Sequence, residues 1–491
     1  MNNRLCLIVV DGFGVAPEGP GNARTLANLP TIKRLEAEVP SVLMDASGEA
    51  VGLPVGQQGA SEPGHLTIGA GRVVFQPLAE IDRAIRMGDF EKNPVLAGAC
   101  ERAAERKVPL HLFGLYSKGG VHSSAEHYHA MLRLAKAKGV ERVFLHLFGD
   151  GRDVGEQQFS ADFELLEKEI DEQKIGAVAS VIGRYYAMDR DKQYARTKLA
   201  YDLMTQGIGE ETPDVLGSVR NWYVKAPDGQ KTDYYLEPLK TPAFQAIGEN
   251  DVAVCVNFRS DRSVQIVEAL EAADFQHFPR PVRVKDVVCV GPYSQHLPVA
   301  FPPADVTNTL GQVVSDAGKK QLRVAETDKF AHATFFFNAQ RQEPYANEDR
   351  VLVESPKVPN YAETPEMSAS KLTDEVLARV RAQTYDLIVM NYANCDLVGH
   401  GGKIEAVVKS CESVDRELAR LLPELEANGY QVIITADHGN CEEMLVPGTQ
   451  TISPSHSCNQ VQTFVIAPDV IKSSDDLKGL TGLKDIAPLS L

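Results

Sequence analysis

Three apolar runs in this sequence each end directly in a short polar signature. Asp11 follows LCLIVV, Asp396 and His400 follow LIVMNYANC, and the pair Asp437-His438 follows QVIITA. Runs of this length and composition predict buried strands. In an open α/β sheet, side chains just past the carboxyl ends of the strands converge on one crevice. We therefore expect the fold to bring these distant carboxylates and imidazoles together.

Ser61 in GQQGASEPGHL and His456 in SPSHSCN complete a candidate ligand set of three carboxylates, three imidazoles and one hydroxyl. This set suits two divalent metal ions with a serine between them, so we expect a metalloenzyme. Ser61 alone would be interpreted as a helix N-cap, a position that also favours a phosphate group. A serine is a poor nucleophile unless a base or a metal activates it, and the expected metals would do so.

Several candidate positions have plainer interpretations when taken singly. Asp11 could be only the turn residue of VDGFG, because Asp-Gly is a common turn dipeptide. Asp396 and His400 could form a surface pair one helical turn apart. Lys329, which follows VAET in AETDKFAHATFFFN, is either an active-site lysine or an ordinary loop residue.

Short β-rich runs alternate with helical stretches along the chain, which predicts an α/β fold with mostly parallel sheets. The strand candidates lie in VPLHLFGLYS, RVFLHLFGD, DVAVCVNFRS, DVVCVGPYS, YDLIVMNY, YQVIITAD and QTFVIAP. Helices are predicted in SSAEHYHAMLRLAKAKG and in KIEAVVKSCESVDRELARLLPELEANG, the latter with Gly429 as its C-cap.

The order of the polar signatures predicts an inserted domain. The candidate ligands lie near the two ends of the chain, so both ends must build one domain and the middle must leave it and return. Proline-containing segments near 73–81 and 296–308 are candidates for the two crossings. We therefore predict a metal domain formed by 1–76 and 309–491 and an inserted α/β domain over 77–308.

The predicted insert has its own polar chemistry, also after strands or in glycine-bearing turns. Arginines at such positions suit fork-type recognition of phosphate and carboxylate groups. The insert is therefore expected to bind a small polyanion. Its candidate residues are His122, Arg152, Asp153, Arg184, Arg190, Arg259 and Arg262.

Composition excludes several classes of partner. The 491 residues carry a net charge of −17, which argues against a nucleic-acid or acidic-membrane surface. No run approaches the length of a membrane span, and MNNRLCLIVVDGFG is interpreted as a buried strand and not as a signal peptide. The eight cysteines are scattered without a C-x-x-C pair, which indicates a reducing cytoplasm.

Several long motifs, in this order, resemble those of the cofactor-independent (2,3-bisphosphoglycerate-independent) phosphoglycerate mutases of the alkaline phosphatase superfamily. They are VVDGFG, ASGEAVGLPVGQQGASEPGHLTIGAGR, YSKGGVHS, FGDGRD, GRYYAMDRD, NFRSDR, AETDKFAHATFFFN, SPKV, NYANCDLVGH and TADHGN. The resemblance covers essentially the whole chain. It implies an alkaline-phosphatase-like domain interrupted by an inserted transferase domain.

The resemblance also implies an activity and a set of roles. The reaction is the interconversion of 3-phosphoglycerate and 2-phosphoglycerate through a phosphoserine, carried out by a monomer. Two divalent metal ions are implied, with manganese the expected metal. By this likeness Asp396, His400 and His456 hold one metal, and Asp11, Ser61, Asp437 and His438 hold the other. The phosphoglycerate is bound by His122, Arg152, Asp153, Arg184, Arg190, Arg259, Arg262 and Lys329, with Asp153 as general acid/base. A phosphomonoesterase or a phosphopentomutase of the same superfamily is the alternative, because it would share the metal ligands.

Cysteines stand at unusual places near the expected ligands. Cys395 takes the position of a usual proline, Cys441 that of a usual alanine, and Cys458 lies in the atypical SHSCN. They are interpreted either as small buried apolar residues or as thiols that peroxide or zinc would attack.

Overall fold

A computed structural model of the protein describes residues 4–491. The chain divides into two compact units. Unit 1 comprises the described residues up to Gln76 together with Ala304–Leu491, and unit 2 comprises Pro77–Pro303. The insert predicted from the sequence ends at 308, whereas residues 304–308 belong with unit 1.

The strands of both units are short. In chain order they are β1 (Arg4–Val10), β2 (Ser41–Met44), β3 (Leu110–Leu115), β4 (Val143–Gly149), β5 (Ala177–Gly183), β6 (Glu210–Glu211), β7 (Leu239–Lys240), β8 (Val252–Cys255), β9 (Asp286–Cys289), β10 (Gln321–Glu326), β11 (Glu348–Val353), β12 (Leu387–Tyr392), β13 (Tyr430–Thr435) and β14 (Val461–Ile466). Every strand candidate taken from the sequence is confirmed.

The α-helices lie between these strands. They are α1 (Ala23–Leu26), α2 (Pro30–Glu38), α3 (Ser61–Ala70), α4 (Pro77–Met87), α5 (Pro94–Arg106), α6 (Ala125–Ala137), α7 (Phe159–Gln173), α8 (Arg184–Ala187), α9 (Tyr194–Gln206), α10 (Val215–Lys225), α11 (Val264–Glu271), α12 (Leu310–Asp316), α13 (Thr327–Ala331), α14 (Ala369–Arg381), α15 (Asn394–Gly399), α16 (Ile404–Ala427) and α17 (Ile486–Ser490). Short 3₁₀ segments occupy Gly48–Val51, Phe90–Lys92, Asp233–Tyr235, Tyr361–Glu363, Ser474–Leu477 and Leu483–Asp485, and a π-helical stretch at His332–Phe336 follows α13.

Unit 1 is built on a seven-stranded sheet in the order β11-β10-β12-β1-β13-β14-β2. The first five strands are parallel. At one edge β14 pairs antiparallel with β13, and β2 pairs antiparallel with β14. The central strands β1 and β12 are apolar and buried along nearly their whole length, as expected of a parallel sheet that is covered on both faces. The carboxyl ends of β10, β12, β1 and β13 therefore lie side by side.

The long helix α16 packs its apolar side into the core of unit 1. Val407, Val414, Leu418 and Leu425 recur at helical spacing and are buried. The predicted C-cap is wrong by one residue, since Asn428 is the cap. Gly429 follows it with a φ of 74°, the left-handed conformation that glycine adopts at low cost.

Unit 2 has a second seven-stranded sheet, in the order β6-β7-β5-β4-β3-β8-β9. Strands β5, β4, β3, β8 and β9 are parallel, and β7 runs antiparallel to β5. The mostly parallel α/β fold predicted from the sequence is therefore confirmed in both units. No helix within residues 4–491 combines the length and hydrophobicity that a bilayer crossing requires.

A buried hydrogen-bonded chain crosses the sheet of unit 2. Asp251 Oδ2 lies 3.3 Å from His111 Nε2, His111 Nδ1 lies 3.0 Å from His146 Nε2, and His146 Nδ1 lies 2.8 Å from Ser180 Oγ. If each member donates toward Asp251, both imidazoles are neutral and every contact is a hydrogen bond. Burial lowers the pKa of His146 far below its usual value and lowers that of His111, where Asp251 partly opposes the effect.

We therefore expect acid to destabilise unit 2. Below the ordinary imidazole pKa of about 6.5, the unfolded chain takes up protons that folded His111 and His146 do not. The free energy of unfolding therefore decreases as the pH is lowered. Each imidazole contributes up to about 1.4 kcal/mol per pH unit. Trp222, the single tryptophan, lies in unit 2, so its fluorescence reports urea unfolding there.

The urea concentration at the unfolding midpoint should be higher at about pH 8, above the imidazole pKa, than at about pH 5.5, below it. A His146→Gln variant should show a smaller difference between the two. Equal wild-type midpoints would contradict the expectation.

Candidate active site

Four polar side chains are delivered by adjacent parallel strands of unit 1. Asp11 follows β1, Asp396 lies in the short helix α15 after β12, Asp437 follows β13, and Lys329 lies in α13 after β10. Because these strands are neighbours in the sheet, their carboxyl ends bring the four groups together. All four side chains are at most 3% exposed. The convergence expected from the sequence is thus present within unit 1.

Ser61 lies at the centre of this group. It is the first residue of α3, and Ala60 is the N-cap, so the N-cap interpretation is wrong by one position. Ser61 Oγ is 2.7 Å from Lys329 Nζ, 2.9 Å from His438 Nε2 and 3.2 Å from Asp11 Oδ1. The helix start also places backbone N–H groups and the positive end of a dipole near the hydroxyl.

Lys329 is the cation that faces the buried carboxylates. Its Nζ lies 2.6 Å from Asp11 Oδ1 and 2.7 Å from Asp396 Oδ2. Burial alone would lower the pKa of Lys329, but Asp11, Asp396 and Asp437 outweigh it and raise the pKa. Burial likewise opposes the charge of Asp11, and Lys329 and His438 nevertheless lower its pKa. Lys329 therefore carries its charge at neutral pH.

Asp396, His400 and His456 form a second part of the site. Asp396 Oδ1 is 3.3 Å from His400 Nε2 and 3.0 Å from His456 Nε2, and the two Nε2 atoms are 3.1 Å apart. The Nδ1 atoms face backbone carbonyls, His400 toward Pro454 and His456 toward Gly59, each at 2.7 Å. Carbonyls bound in this way orient histidine ligands and leave Nε2 free toward a metal.

The groups around Ser61 suit divalent cations. Ligand atoms in the sets Asp396/His400/His456 and Asp11/Asp396/His438 lie within 4.8 Å of one another. Asp437 Oδ2 is buried and accepts no hydrogen bond, although it lies 3.1 Å from His65 Nδ1. An orphaned buried carboxylate oxygen beside two further carboxylates calls for positive charge beyond that of Lys329. Oxygen and imidazole donors are those that divalent transition metals accept.

Three residues around the site were missed in the sequence. His65 lies one helical turn after Ser61, and its Nδ1 is 2.9 Å from the Ser61 carbonyl oxygen. Asn391 in β12 donates to Asp11 Oδ2 at 2.7 Å, and Asn440 donates to Asp396 Oδ1 at 3.2 Å. The available signals were the i, i+4 spacing of His65 from Ser61 and the place of Asn440 in ADHGN.

Unit 2 has its own polar cluster at the carboxyl ends of its strands. Its centre is Asp261, which was not a candidate although it lies in NFRSDR. Asp261 accepts from Arg190 Nη1 at 2.9 Å, lies 3.1 Å from Arg259 Nε and lies 3.5 Å from His122 Nδ1. Both His122 Nδ1 and Asp261 Oδ1 are buried and without a hydrogen bond. Both atoms therefore keep hydrogen-bonding capacity that suits a polar ligand.

Asp153 joins the same cluster through Arg184. Arg184 Nη1 donates to Asp153 Oδ2 at 2.5 Å and to Asp150 Oδ1 at 2.6 Å, and His122 Nε2 lies 3.8 Å from Asp153 Oδ2. Burial, followed by the charge of Arg184, lowers the pKa of His122 to about 4. His122 is therefore neutral at physiological pH, and the guanidinium groups supply the positive charge.

The remaining two candidates of unit 2 make different contacts. Arg262 Nη1 donates to the Met188 carbonyl oxygen at 3.2 Å. Burial, then the charges of Arg190 and Arg184, lower its pKa. The guanidinium carbon of Arg152 lies 5.9 Å from the centre of the Tyr234 ring.

The cysteines near the ligands differ from one another in exposure. Cys395 and Cys441 are buried, and with Cys411 of α16 they form a thiol cluster whose sulfur atoms lie within 4.8 Å of one another. Cys458 is exposed, and its Sγ contacts the Gly56 carbonyl oxygen at 3.4 Å. Burial favours the packing interpretation for Cys395 and Cys441, and Cys458 is the accessible thiol.

We expect a thiol reagent to distinguish these cysteines. Native protein should react rapidly with Ellman's reagent at Cys458 alone, because the other seven thiols are buried. Unfolding in guanidinium should expose all eight. A Cys458→Ser variant should show no rapid native reaction, and rapid labelling of a second thiol would contradict the assignment.

The fold and the site define the class of the protein. A mostly parallel sheet with a serine, three carboxylates and imidazoles at its strand ends, interrupted by a second α/β unit, is an alkaline-phosphatase-like architecture. Residues 81–295 match the model of the BPG-independent PGAM N-terminus, and residues 303–443 match that of type I phosphodiesterase / nucleotide pyrophosphatase.

Individual relatives are similar over the whole chain. A 2,3-bisphosphoglycerate-independent phosphoglycerate mutase 1 of Methanosarcina barkeri is 44% identical, covering 99% of this chain and 94% of its own. The Moorella thermoacetica enzyme is 43% identical, and the match covers 100% of this chain and 95% of that enzyme. A Leishmania mexicana phosphoglycerate mutase structure has a TM-score of 0.54 at 27% identity. The match covers 99% of this chain and 94% of that one. The chain belongs to the 2,3-bisphosphoglycerate-independent phosphoglycerate mutase family.

Proposed function

We propose that the chain interconverts 3-phosphoglycerate and 2-phosphoglycerate through a phosphoserine at Ser61. The observation that carries this proposal is the environment of Ser61 Oγ, which lies within 3.2 Å of Lys329, His438 and Asp11. A hydroxyl at a helix N-terminus beside a buried ammonium group is suited to accept a phosphoryl group, because both stabilise the added negative charge. Membership of the mutase family gives the substrate.

Two divalent metal ions complete the proposed site, with manganese as the metal. Asp396, His400 and His456 would hold one ion, and Asp11, Ser61, Asp437 and His438 the other. Such ions lower the pKa of a bound hydroxyl and offset negative charge on phosphoryl oxygens. Mn²⁺ accepts both carboxylate and imidazole donors.

Different residues of the chain carry out different steps of the proposed reaction. Ser61 loses its hydroxyl proton to solvent, and its Oγ attacks the phosphorus of 3-phosphoglycerate. The bond between the phosphorus and O3 of the glycerate breaks, and Lys329 offsets charge on the transferring oxygens. Asp153 begins the cycle protonated and gives its proton to the glycerate oxygen that the phosphoryl group leaves. It regains a proton from the other hydroxyl of the glycerate. That hydroxyl then takes the phosphoryl group back from Ser61, which gives 2-phosphoglycerate.

The arginine cluster of unit 2 is proposed to hold the glycerate. Arg184, Arg190, Arg259 and Arg262 present guanidinium groups, and Arg152 adds a fifth. Forked N–H donors bind a carboxylate in two-point contacts that a neutral sugar cannot make. This favours phosphoglycerate over the phosphopentose of a phosphopentomutase and over the unselective substrates of a phosphomonoesterase. We further propose that the enzyme is monomeric and cytoplasmic.

A coupled assay tests the proposal. Purified protein treated with chelator is supplied with 3-phosphoglycerate and enolase, with and without Mn²⁺ and without 2,3-bisphosphoglycerate. We expect formation of 2-phosphoglycerate only when metal is added. Release of inorganic phosphate in place of 2-phosphoglycerate would identify a phosphomonoesterase. Turnover of ribose 1-phosphate without turnover of 3-phosphoglycerate would identify a phosphopentomutase.

Metal binding should depend on pH because protons compete for the same nitrogens. Burial opposes protonation of His438, but Asp437, Asp11 and Asp396 outweigh it and raise its pKa to about 10. Asp396 raises the pKa of His400. Without metal His438 is therefore protonated at neutral pH. The shift at His400 also favours its protonated form. A binding ion must displace protons from such nitrogens.

We accordingly expect activity to fall steeply on mild acidification and to recover with excess Mn²⁺. Mn²⁺ affinity, measured by calorimetry from about pH 8 to about pH 6, should fall by up to about tenfold per pH unit for each proton displaced. An activity profile that stays flat to about pH 5 at low free metal, well below the ordinary imidazole pKa, would contradict this.

A further inference from the structure

Glu442 joins three loops that carry candidate ligands. Its Oε2 accepts from the backbone N–H of Gly14 at 3.0 Å and of Asn440 at 2.9 Å. Its Oε1 accepts from Ser457 Oγ and from Asn459 Nδ2, the latter at 3.0 Å. We call this arrangement, Glu442 with these four donors, the Glu442 junction.

Three of the four donors lie close to a candidate ligand in the sequence. Gly14 is in the loop that begins at Asp11, Asn440 is two residues past His438, and Ser457 directly follows His456. The junction thus links a loop near the start of the chain to two loops near its end. Asn440 extends the link, because its side-chain amide donates to Asp396 Oδ1 at 3.2 Å.

The junction is buried and closely packed. Glu442 is 3% exposed, so its charge is stabilised by the four neutral donors and not by water. A Cβ atom added at Gly14 or at Gly439 would overlap the Glu442 carboxylate. Glycine at these two positions lets the loops approach the carboxylate closely.

Only a carboxylate satisfies this geometry. Each oxygen of Glu442 accepts two hydrogen bonds, so the site needs two atoms that act only as acceptors for four N–H or O–H groups. A glutamine would replace one oxygen by an NH₂ group, which cannot accept. Whichever way its amide turned, two donors would lose their acceptor and would face a further donor.

We propose that Glu442 is a positioning residue that fixes the loops of Asp11, His438 and His456 relative to one another and thereby sets the metal affinity of the site. Within the described residues its carboxylate accepts from Gly14, Asn440, Ser457 and Asn459 and from no candidate ligand. It acts through the backbone and side chains next to the ligands. Partners of this kind typically change metal affinity by about 10–100-fold. The inference rests on the proposed dimetal function.

The test compares Glu442→Gln with Glu348→Gln and measures Mn²⁺ binding to chelator-treated protein by calorimetry. Glu348 is a matched control, a buried glutamate of unit 1 at the start of β11 that accepts from Asn338 Nδ2 at 2.7 Å and Arg350 Nε at 2.6 Å. Both variants should lower the melting temperature of metal-free protein. Only Glu442→Gln should weaken Mn²⁺ binding, by about 10–100-fold.

Unchanged Mn²⁺ affinity in Glu442→Gln, or an equal loss in Glu348→Gln, would overturn the proposal. If Glu442→Gln does not fold, Asn459→Ala removes one donor and leaves the carboxylate in place. That variant should bind Mn²⁺ more weakly than wild type, and wild-type affinity would also overturn the proposal. If wild-type protein binds no Mn²⁺, the proposed function fails; if wild type binds two ions and the variants match it, only the role of Glu442 fails.

Discussion

A Ser61→Ala variant should lose mutase activity, with kcat lower by about 10⁴-fold or more, the scale of loss when a covalent nucleophile is removed. Alanine leaves the helix start intact but removes the oxygen that faces Lys329, His438 and Asp11. The coupled assay measures the activity. Mass spectrometry after rapid acid quenching with 3-phosphoglycerate should detect a phosphoryl adduct on wild-type protein and none on the variant.

Ser410→Ala is the matched control for this experiment. Ser410 is also a fully buried serine of unit 1, but its hydroxyl donates to the Val407 carbonyl within α16. That variant should keep its activity and its phosphoryl adduct. Mutase activity retained in Ser61→Ala, or an adduct that maps to another residue, would rule out Ser61 as the phosphorylated group.

The sheet that positions Ser61 was largely predictable from the sequence. Runs such as LCLIVV and QVIITA favour buried parallel strands, because such a strand needs apolar residues on both faces and these runs are short for a helix. The groups that follow them, Asp11 and Asp437, then had to lie at one edge of the sheet. Helix ends were less predictable, since Ala60 and not Ser61 caps α3 and Asn428 and not Gly429 caps α16. A cap depends on one local backbone geometry, which composition does not fix.

Residues that act through other residues were the ones missed. Glu442, Asn440 and Asp261 lie in or beside recognisable motifs, but their roles arise from contacts between segments far apart in the chain. Glu442, for example, accepts from Gly14 across 428 positions. The sequence around such a carboxylate does not indicate which distant residue will donate a hydrogen bond to it. The same holds for Cys411, whose place beside Cys395 depends on how α16 packs.

Substitutions in the polar clusters of the two units should have different effects on activity and on metal content. Arg262→Ala removes one guanidinium from unit 2, and kcat/KM should fall by roughly 10²-fold, equivalent to about 3 kcal/mol of charged hydrogen bonding. Its metal content should stay at the wild-type level, because every candidate metal ligand lies in unit 1. Arg259→Ala should behave in the same way.

Asp437→Asn should instead lose metal and activity together. The substitution neutralises a fully buried carboxylate whose Oδ2 accepts no hydrogen bond and is free for a cation. Elemental analysis of the purified variants, alongside the coupled assay, separates the two patterns. Arg283→Ala is the control in unit 2, since its exposed side chain donates to the Glu271 carbonyl outside the cluster, and it should keep both properties. An Arg262→Ala protein that loses its metal would contradict the proposed division between a metal-binding unit and a substrate-binding unit. The arginine would then be needed for the metal site itself.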